Sequence, residues 1–275
     1  MMRRGLLRRL RESLMGLRGL VSFLTIIPAG GSFEYAPRYF YLAPLIGLIE
    51  GLLSTPPLLV NKPIGAALAT ALTYLINGFQ HMDGFLDFGE TLLTGRRGEE
   101  AVRILKDPHR GSFALTLGLI NVILVYSSLL SMGKNALVTL PITEASAAYV
   151  MFITAYLGKP SEGGLGRVFV IEAKGRGGLA LSTLVYAVIA VTVPLLNHWG
   201  IWTISITITV SALVSVLMAL LTVRLSHSRL GFVNGDVLGF SFELSKVTLL
   251  VTYSTLGYLL GVNPLNKLLK PPWCY

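Results

Sequence analysis

Between residues 39 and 262 the chain moves from one long apolar run to the next, with only short polar or glycine-rich breaks. No other feature constrains its fold as strongly. About 20 apolar residues, rising roughly 1.5 Å each as a helix, cross a bilayer. The candidate spans are Tyr39–Val60, Ile64–Phe79, Phe113–Met132, Ala136–Leu157, Leu179–Leu196, Ile201–Val223 and Val237–Val262. Ile64–Phe79 is the shortest of them, and FLTIIPAGG (23–31), broken by Pro28 and two glycines, is expected to dip in rather than cross. Pro44, Gly47 and Pro141 fall inside spans, where neighbouring helices can re-satisfy the backbone. The expected fold is therefore all-α: one polytopic integral membrane bundle over residues 1–275, with about seven transmembrane helices between residues 39 and 262.

Ahead of the bundle, residues 1–27 read as a basic amphipathic segment. Leu6, Leu7, Leu10, Leu14 and Leu17 recur at helical spacing with arginines on the other face, a pattern suited to the headgroup region of an anionic leaflet. Met15–Pro28 lacks the clean apolar core and small-residue cleavage site of a secretory signal. The single cysteine, Cys274, excludes a disulfide framework and a cysteine metal cluster.

Charge then orients the bundle. The net charge of +9 would suit nucleic acid on a soluble surface, but charged residues make up only 13% of this chain. Seven spans with a cytoplasmic N-terminus place 18 of the 23 Lys and Arg residues inside: 7 in residues 1–38, 5 in 80–112, 4 in 158–178 and 2 in 224–236. Lys62, Lys134, Lys267 and Lys270 fall outside, and Lys246 lies within the last span. This asymmetry is the positive-inside pattern. It predicts a multi-pass plasma-membrane protein with its charged loops cytoplasmic and its C-terminus outside, and it accounts for the basic excess without nucleic acid.

The chemistry is expected at residues 77–111, which hold three of the four aspartates: Asp83, Asp87 and Asp107. Asp83, Asp87 and Glu90 are spaced i, i+4, i+7 and share one helix face. Three carboxylates side by side repel unless a cation sits among them, and hard oxygen donors of this kind suit Mg²⁺ with substrate phosphates and water. A solvated, ion-paired helix end is the plainer alternative, yet no Lys or Arg occurs between Pro63 and Arg96 to pair them. Downstream lie Arg96, Arg97, Arg103, Lys106 and Arg110, with Gly95, Gly98 and Gly111 permitting close approach to phosphate. His81 could act as a base or hydrogen-bond a phosphate, and His109 carries the same ambiguity. Two later loops face the same side. One holds Glu162, Gly166 and Arg167, an anion-cradling pattern, and the other holds Asn234, Gly235 and Asp236. Glu50, Glu144 and Glu243 lie within spans, where ionisable groups are costly and by default functional or hydrogen-bonded.

These blocks resemble the adenosylcobinamide-GDP ribazoletransferase (cobalamin synthase) family, in the family's order and over nearly the whole chain. They are FLTIIPAG (23–30), PLIGLIEG (44–51), GFQHMDGFLDFGE (78–90), RILKDPHRGSF (103–113), EGGLGRVFV (162–170) and NGDVLGFSFEL (234–244). The resemblance implies a Mg²⁺-dependent transferase at the cytoplasmic membrane face. In it a hydroxyl of α-ribazole, or of its 5′-phosphate, attacks adenosylcobinamide-GDP and GMP leaves. Asp83 and Asp87 would hold Mg²⁺, with Glu90 as a third, longer ligand. Lys106, Arg110, Gly111, Arg103, Gly166, Arg167, Asn234 and Gly235 would bind substrate or phosphate. Asp107 or Asp236 would complete the metal site or take the hydroxyl proton. The chain departs from the family at Glu90-Thr91 (commonly Asp-Gly), at Phe232 and Asn234 (expected Gly and Thr), at Lys246 (usually an acid) and at Glu144, in a region where an arginine is expected. Two other classes share some of these features. CDP-alcohol phosphotransferases also use an acidic helix, but Phe85-Leu86 follow Asp83-Gly84 where an alanine-arginine is expected. Secondary transporters place ionisable residues at mid-membrane in repeated broken helices, and no repeat is evident here.

Overall fold

A computed structural model describes residues 2–260, with side chains from residue 11 onward. The expected polar–apolar face of the N-terminal helix falls largely on residues 1–10, and the expected external C-terminus on residues 261–275. Both lie outside the described side chains.

The chain is helical, with no strand among the described residues. Its helices are α1 (Met2–Leu24), α2 (Ala43–Ser54), α3 (Lys62–Leu75), α4 (Gln80–Leu93), α5 (Glu99–Leu105), α6 (Ser112–Met132), α7 (Ala136–Leu157), α8 (Leu165–Glu172), α9 (Gly178–Leu196), α10 (Ile201–Arg229) and α11 (Gly235–Leu259). Four helical stretches are long and apolar enough to cross a membrane: Ala36–Leu59, Ser112–Leu157, Gly178–Leu196 and Ile201–Arg229. Ser112–Leu157 comprises α6 and α7, separated by a short 3-10 turn at Gly133–Asn135. The count of seven spans is thus not established. The 14 residues of α3 rise only about 21 Å, short of a hydrocarbon core of about 30 Å. Helix α11 is long enough but carries Asp236, Glu243 and Lys246.

Helix α7 is the hub. It is buried from Val138 to Ala155 and packs on α2, α9, α10 and α11. Small residues on it (Ala145, Ser146, Ala147, Ala148) permit close helix approach in the absence of a hydrophobic driving force between apolar surfaces. Helix α10 presents a matching buried stripe of Thr207, Ser211, Ser215, Ala219, Thr222 and Ser226. Its opposite face exposes Leu213, Val216, Leu217 and Leu220, as α9 exposes Leu184, Val188 and Leu195, so the apolar surface looks outward into lipid.

The breaks that flank α4, α5 and α8 gather at one end of the bundle. Helix α4 lies against α11 and α6, and the loop before α11 is tied to the one before α8. There Pro160 and Val233 form an isolated parallel bridge, with the Val233 N–H donating to the Lys159 carbonyl at 2.7 Å. Arg229, at the end of α10, donates to the Gly95 carbonyl at 2.6 Å, and its own carbonyl accepts from the Gly98 N–H at 2.8 Å. The Gln80 amide donates to the Phe23 carbonyl at 2.8 Å, fixing the end of α1 against the start of α4.

Candidate active site

Backbone contact brings the two acidic helices together. A Cβ on Gly84 of α4 would lie 2.7 Å from the Asp236 carbonyl oxygen, and one on Gly239 of α11 would lie 2.9 Å from the His81 carbonyl oxygen. Each helix thus uses a glycine where the other presses in, and this sets Asp83 and Asp87 beside Asp236 at the head of α11. Asn234 caps that helix: its Oδ1 accepts from the Val237 N–H at 3.1 Å, and its Nδ2 donates to Asp236 at 2.7 Å. Gly166, at the start of α8, abuts the Gly235 backbone so closely that a side chain would collide with it.

Arg110 closes the arrangement. Its guanidinium lies 2.5 Å from Asp87 and 3.5 Å from Asp83, and it also donates to the Asp107 carbonyl at 2.7 Å. Asp87 is nearly buried while Asp83 is largely exposed. Burial, with the neighbouring Asp83 and Asp236 charges, lifts the Asp87 carboxyl to about 7 despite Arg110. Burial also raises Asp236, opposed by its Asn234 hydrogen bond.

Other expected residues stand elsewhere. Glu90 turns away from the aspartates and accepts from the Gly111 N–H at 2.9 and 3.2 Å through its two oxygens. The free N–H groups at the start of α6 draw a carboxylate, so the i, i+4, i+7 face is a two-aspartate face in three dimensions. Asp107 holds its own loop: it accepts from the His109 N–H at 2.9 Å and lies 3.0 Å from the His109 ring, and these bonds lower its carboxyl, the backbone one most. His81 is buried with its ring 4.2 Å from that of Phe242. Lys106 lines a wide open groove of about 1020 Å³ together with Gly166, Asn234, Gly235 and Asp236. Arg103 and Arg167 are exposed and line neither this groove nor the smaller cavity beside it.

That smaller cavity, about 240 Å³, was not anticipated from the sequence. Phe23, Phe40 and Phe169 come from three separate segments, and nothing in their spacing marks them as one wall. The signal available was the glycine content of GFQHMDG and NGDVLGFSFEL, which implies backbone contact between the two blocks.

Among the described residues no group of three or more His, Cys, Asp or Glu side chains is disposed to hold a metal. Asp83 and Asp87 are the carboxylates here that could hold a Mg²⁺ ion, which commonly takes one or two carboxylates with phosphate oxygens and water supplying the rest.

The profile of the family described as cobalamin-5-phosphate synthase matches residues 16–254. The chain belongs to the cobalamin-5-phosphate synthase family. Asp83, Asp87, Arg110 and Asp236 all fall within the matched range. Among similar proteins named adenosylcobinamide-GDP ribazoletransferase, one from Pyrobaculum calidifontis is 34% identical over 86% of this chain and 98% of its own length. Another, from Thermococcus kodakarensis, is 27% identical over 89% of this chain and all of its own length. No solved structure matches the chain. For this family member, Asp83, Asp87, Arg110 and Asp236 are therefore placed by the geometry of this structure alone.

Proposed function

We propose that this protein is an adenosylcobinamide-GDP ribazoletransferase, joining α-ribazole or its 5′-phosphate to adenosylcobinamide-GDP with release of GMP. The observation that carries the reading is the convergence of Asp83 and Asp87 on the Arg110 guanidinium, next to Asp236, which itself lines a groove large enough for a bulky phosphorylated donor. Family membership and the names of similar proteins support the same assignment.

In this reading Arg110 trades its carboxylate partners for phosphate oxygens when the donor enters, because a guanidinium fork matches either. Lys106 adds positive charge from the groove wall. Asp83 and Asp87 would hold Mg²⁺, which when bound would neutralise the pyrophosphate and stabilise GMP as the leaving group. The acceptor hydroxyl oxygen forms a bond to the cobinamide-side phosphorus, and the bond from that phosphorus to the bridging oxygen breaks. GMP departs with the electron pair, and the hydroxyl proton passes to a carboxylate at the head of α11, Asp236. No covalent enzyme intermediate is needed. The site lies on the cytoplasmic side, in line with the distribution of basic loops.

The test is incubation of the purified protein with adenosylcobinamide-GDP, α-ribazole and Mg²⁺, following GMP. Release of GMP that is lost in Asp83→Asn supports the reading. No GMP with either form of the acceptor overturns it.

A further inference from the structure

The transfer joins two substrates that differ sharply in size and charge, and the site has two cavities that differ in the same way. The wide groove is open, and Glu99, Lys106 and Glu162 line it along with several glycines. The smaller cavity has aromatic walls and no Lys or Arg in its lining. Phe23 stacks on Phe169 with ring centroids 4.8 Å apart, and Phe40 meets Phe169 edge-on at 5.0 Å. The polar side chains of the small cavity are those of Gln80, His81, Asp83 and Asp236. The Gln80 amide is engaged by the Phe23 carbonyl. His81 is buried, and its Nε2 has no hydrogen-bond partner among the described residues. The two cavities share Leu165, Gly166, Gly235 and Asp236.

Resting on the ribazoletransferase reading, we infer that the aromatic cavity seats the base of the acceptor nucleoside and the wide groove seats the donor, with transfer at their shared edge beside Asp236. Three physical arguments converge. A corrin joined to a nucleoside diphosphate cannot enter about 240 Å³, whereas drug-sized ligands occupy pockets of roughly 300–1,000 Å³. A diphosphate needs a cationic partner: Lys106 lines the wide groove, and the small cavity has no Lys or Arg in its lining. A methylated benzimidazole is planar and apolar, so it gains from aromatic faces and needs few hydrogen bonds, whereas guanine would leave its polar edge unpaired against Phe40 and Phe169. Seated in this way, the base points the ribose towards Asp83 and Asp236, and a 5′-phosphate, where present, stays outside the aromatic walls. Asp236, which lines both cavities, then stands beside the attacking hydroxyl where it can take the proton without obstructing the path to the phosphorus.

The test uses the full chain in detergent. In equilibrium dialysis without donor, the wild-type protein binds α-ribazole and GMP does not displace it. Phe23→Ala weakens that binding about tenfold or more and Phe23→Leu about fivefold, in keeping with the loss of a base-stacking ring, whereas Phe23→Trp retains it. In steady-state assays Phe23→Ala raises the KM for α-ribazole by a similar factor and leaves that for adenosylcobinamide-GDP within about twofold. Glu99→Trp, at the rim of the wide groove, does the reverse. Displacement of α-ribazole by GMP, or a rise confined to the donor KM in the Phe23 variants, overturns the assignment. The two readings fail separately. Normal GMP release with an acceptor KM unmoved by Phe23→Ala and Phe23→Leu removes the seat alone. Phe23-dependent binding of α-ribazole without any GMP release removes the transferase reading alone.

Discussion

Arg110 and Asp87 meet at 2.5 Å, a largely buried carboxylate held by a guanidinium that arrives on the loop before α6. Without substrate the guanidinium faces Asp87 and Asp83, and with a phosphorylated donor it gains a competing partner. Arg110→Ala is expected to lower kcat about 10²- to 10³-fold, the range for removing one group that stabilises developing charge. Arg110→Lys should fall between, since it restores the charge without the fork. GMP release at saturating donor and acceptor measures both. Unchanged turnover in Arg110→Ala would remove Arg110 from the reaction.

The Asp87 carboxyl, raised to about 7, has a pH consequence. If its ionised form holds the metal, activity should climb about tenfold per pH unit up to about pH 7 and level off above it. Higher Mg²⁺ should move the midpoint to lower pH, because the metal competes with the proton. Stability runs the opposite way in the absence of metal. Between the ordinary value of 3.8 and about 7 the folded protein keeps a proton that the unfolded chain has lost, so the melting temperature should fall as pH rises through that window. Asp87→Asn should flatten both profiles, and thermal melts with and without Mg²⁺ across pH 4–8 would show it.

Glu90 separates a structural role from a metal-binding one. Its carboxylate caps the start of α6 through the Gly111 N–H. Glu90→Ala should cost about 0.5–2 kcal/mol of stability, the range for losing a carboxylate or hydroxyl that caps a helix start. It should also leave the dependence of turnover on Mg²⁺ concentration close to that of the wild type. A large rise in the Mg²⁺ needed for half-maximal rate would instead make Glu90 a ligand.

Lys246 is fully buried, 2.7 Å from Glu243 and with its ammonium 4.2 Å from the centre of the Tyr74 ring. Removing one member of such a pair strands the other, so Lys246→Met should destabilise by about 3–5 kcal/mol. Lys246→Met with Glu243→Met should recover much of that loss, since both charges then disappear together. Denaturant unfolding in detergent reads the difference. A double variant no better than the single one would show that Lys246 acts mainly through Glu50 and Glu144, whose charges also reach it.

The same cluster shows where reading along the chain stops. Glu144 and Lys246 are two separate oddities in the sequence, each carrying a charge opposite to the one expected there. In three dimensions α7 packs against α11, and the two side chains fall in one buried electrostatic neighbourhood, so the two departures belong to one cluster. Likewise the i, i+4, i+7 spacing correctly puts three carboxylates on one helix face, but it says nothing of the neighbour each will meet. Asp83 and Asp87 meet a guanidinium, and Glu90 meets a helix N-terminus.

By itself the sequence determined that this chain is a helical membrane protein, and it pointed to the scarce aspartates beside basic loops as the candidate place of its chemistry. Local hydrophobicity and charge, together with ordered short blocks, carry that information. It also identified the blocks that join the chain to its family. The tertiary structure decided which acids share a site, that α3 is too short for an upright span, and that three phenylalanines from separate segments wall one cavity. The physical reason is that these depend on close contacts between helices distant in sequence: glycines admit a neighbouring backbone, and a single arginine bridges two carboxylates. No local periodicity encodes which helix will be the neighbour.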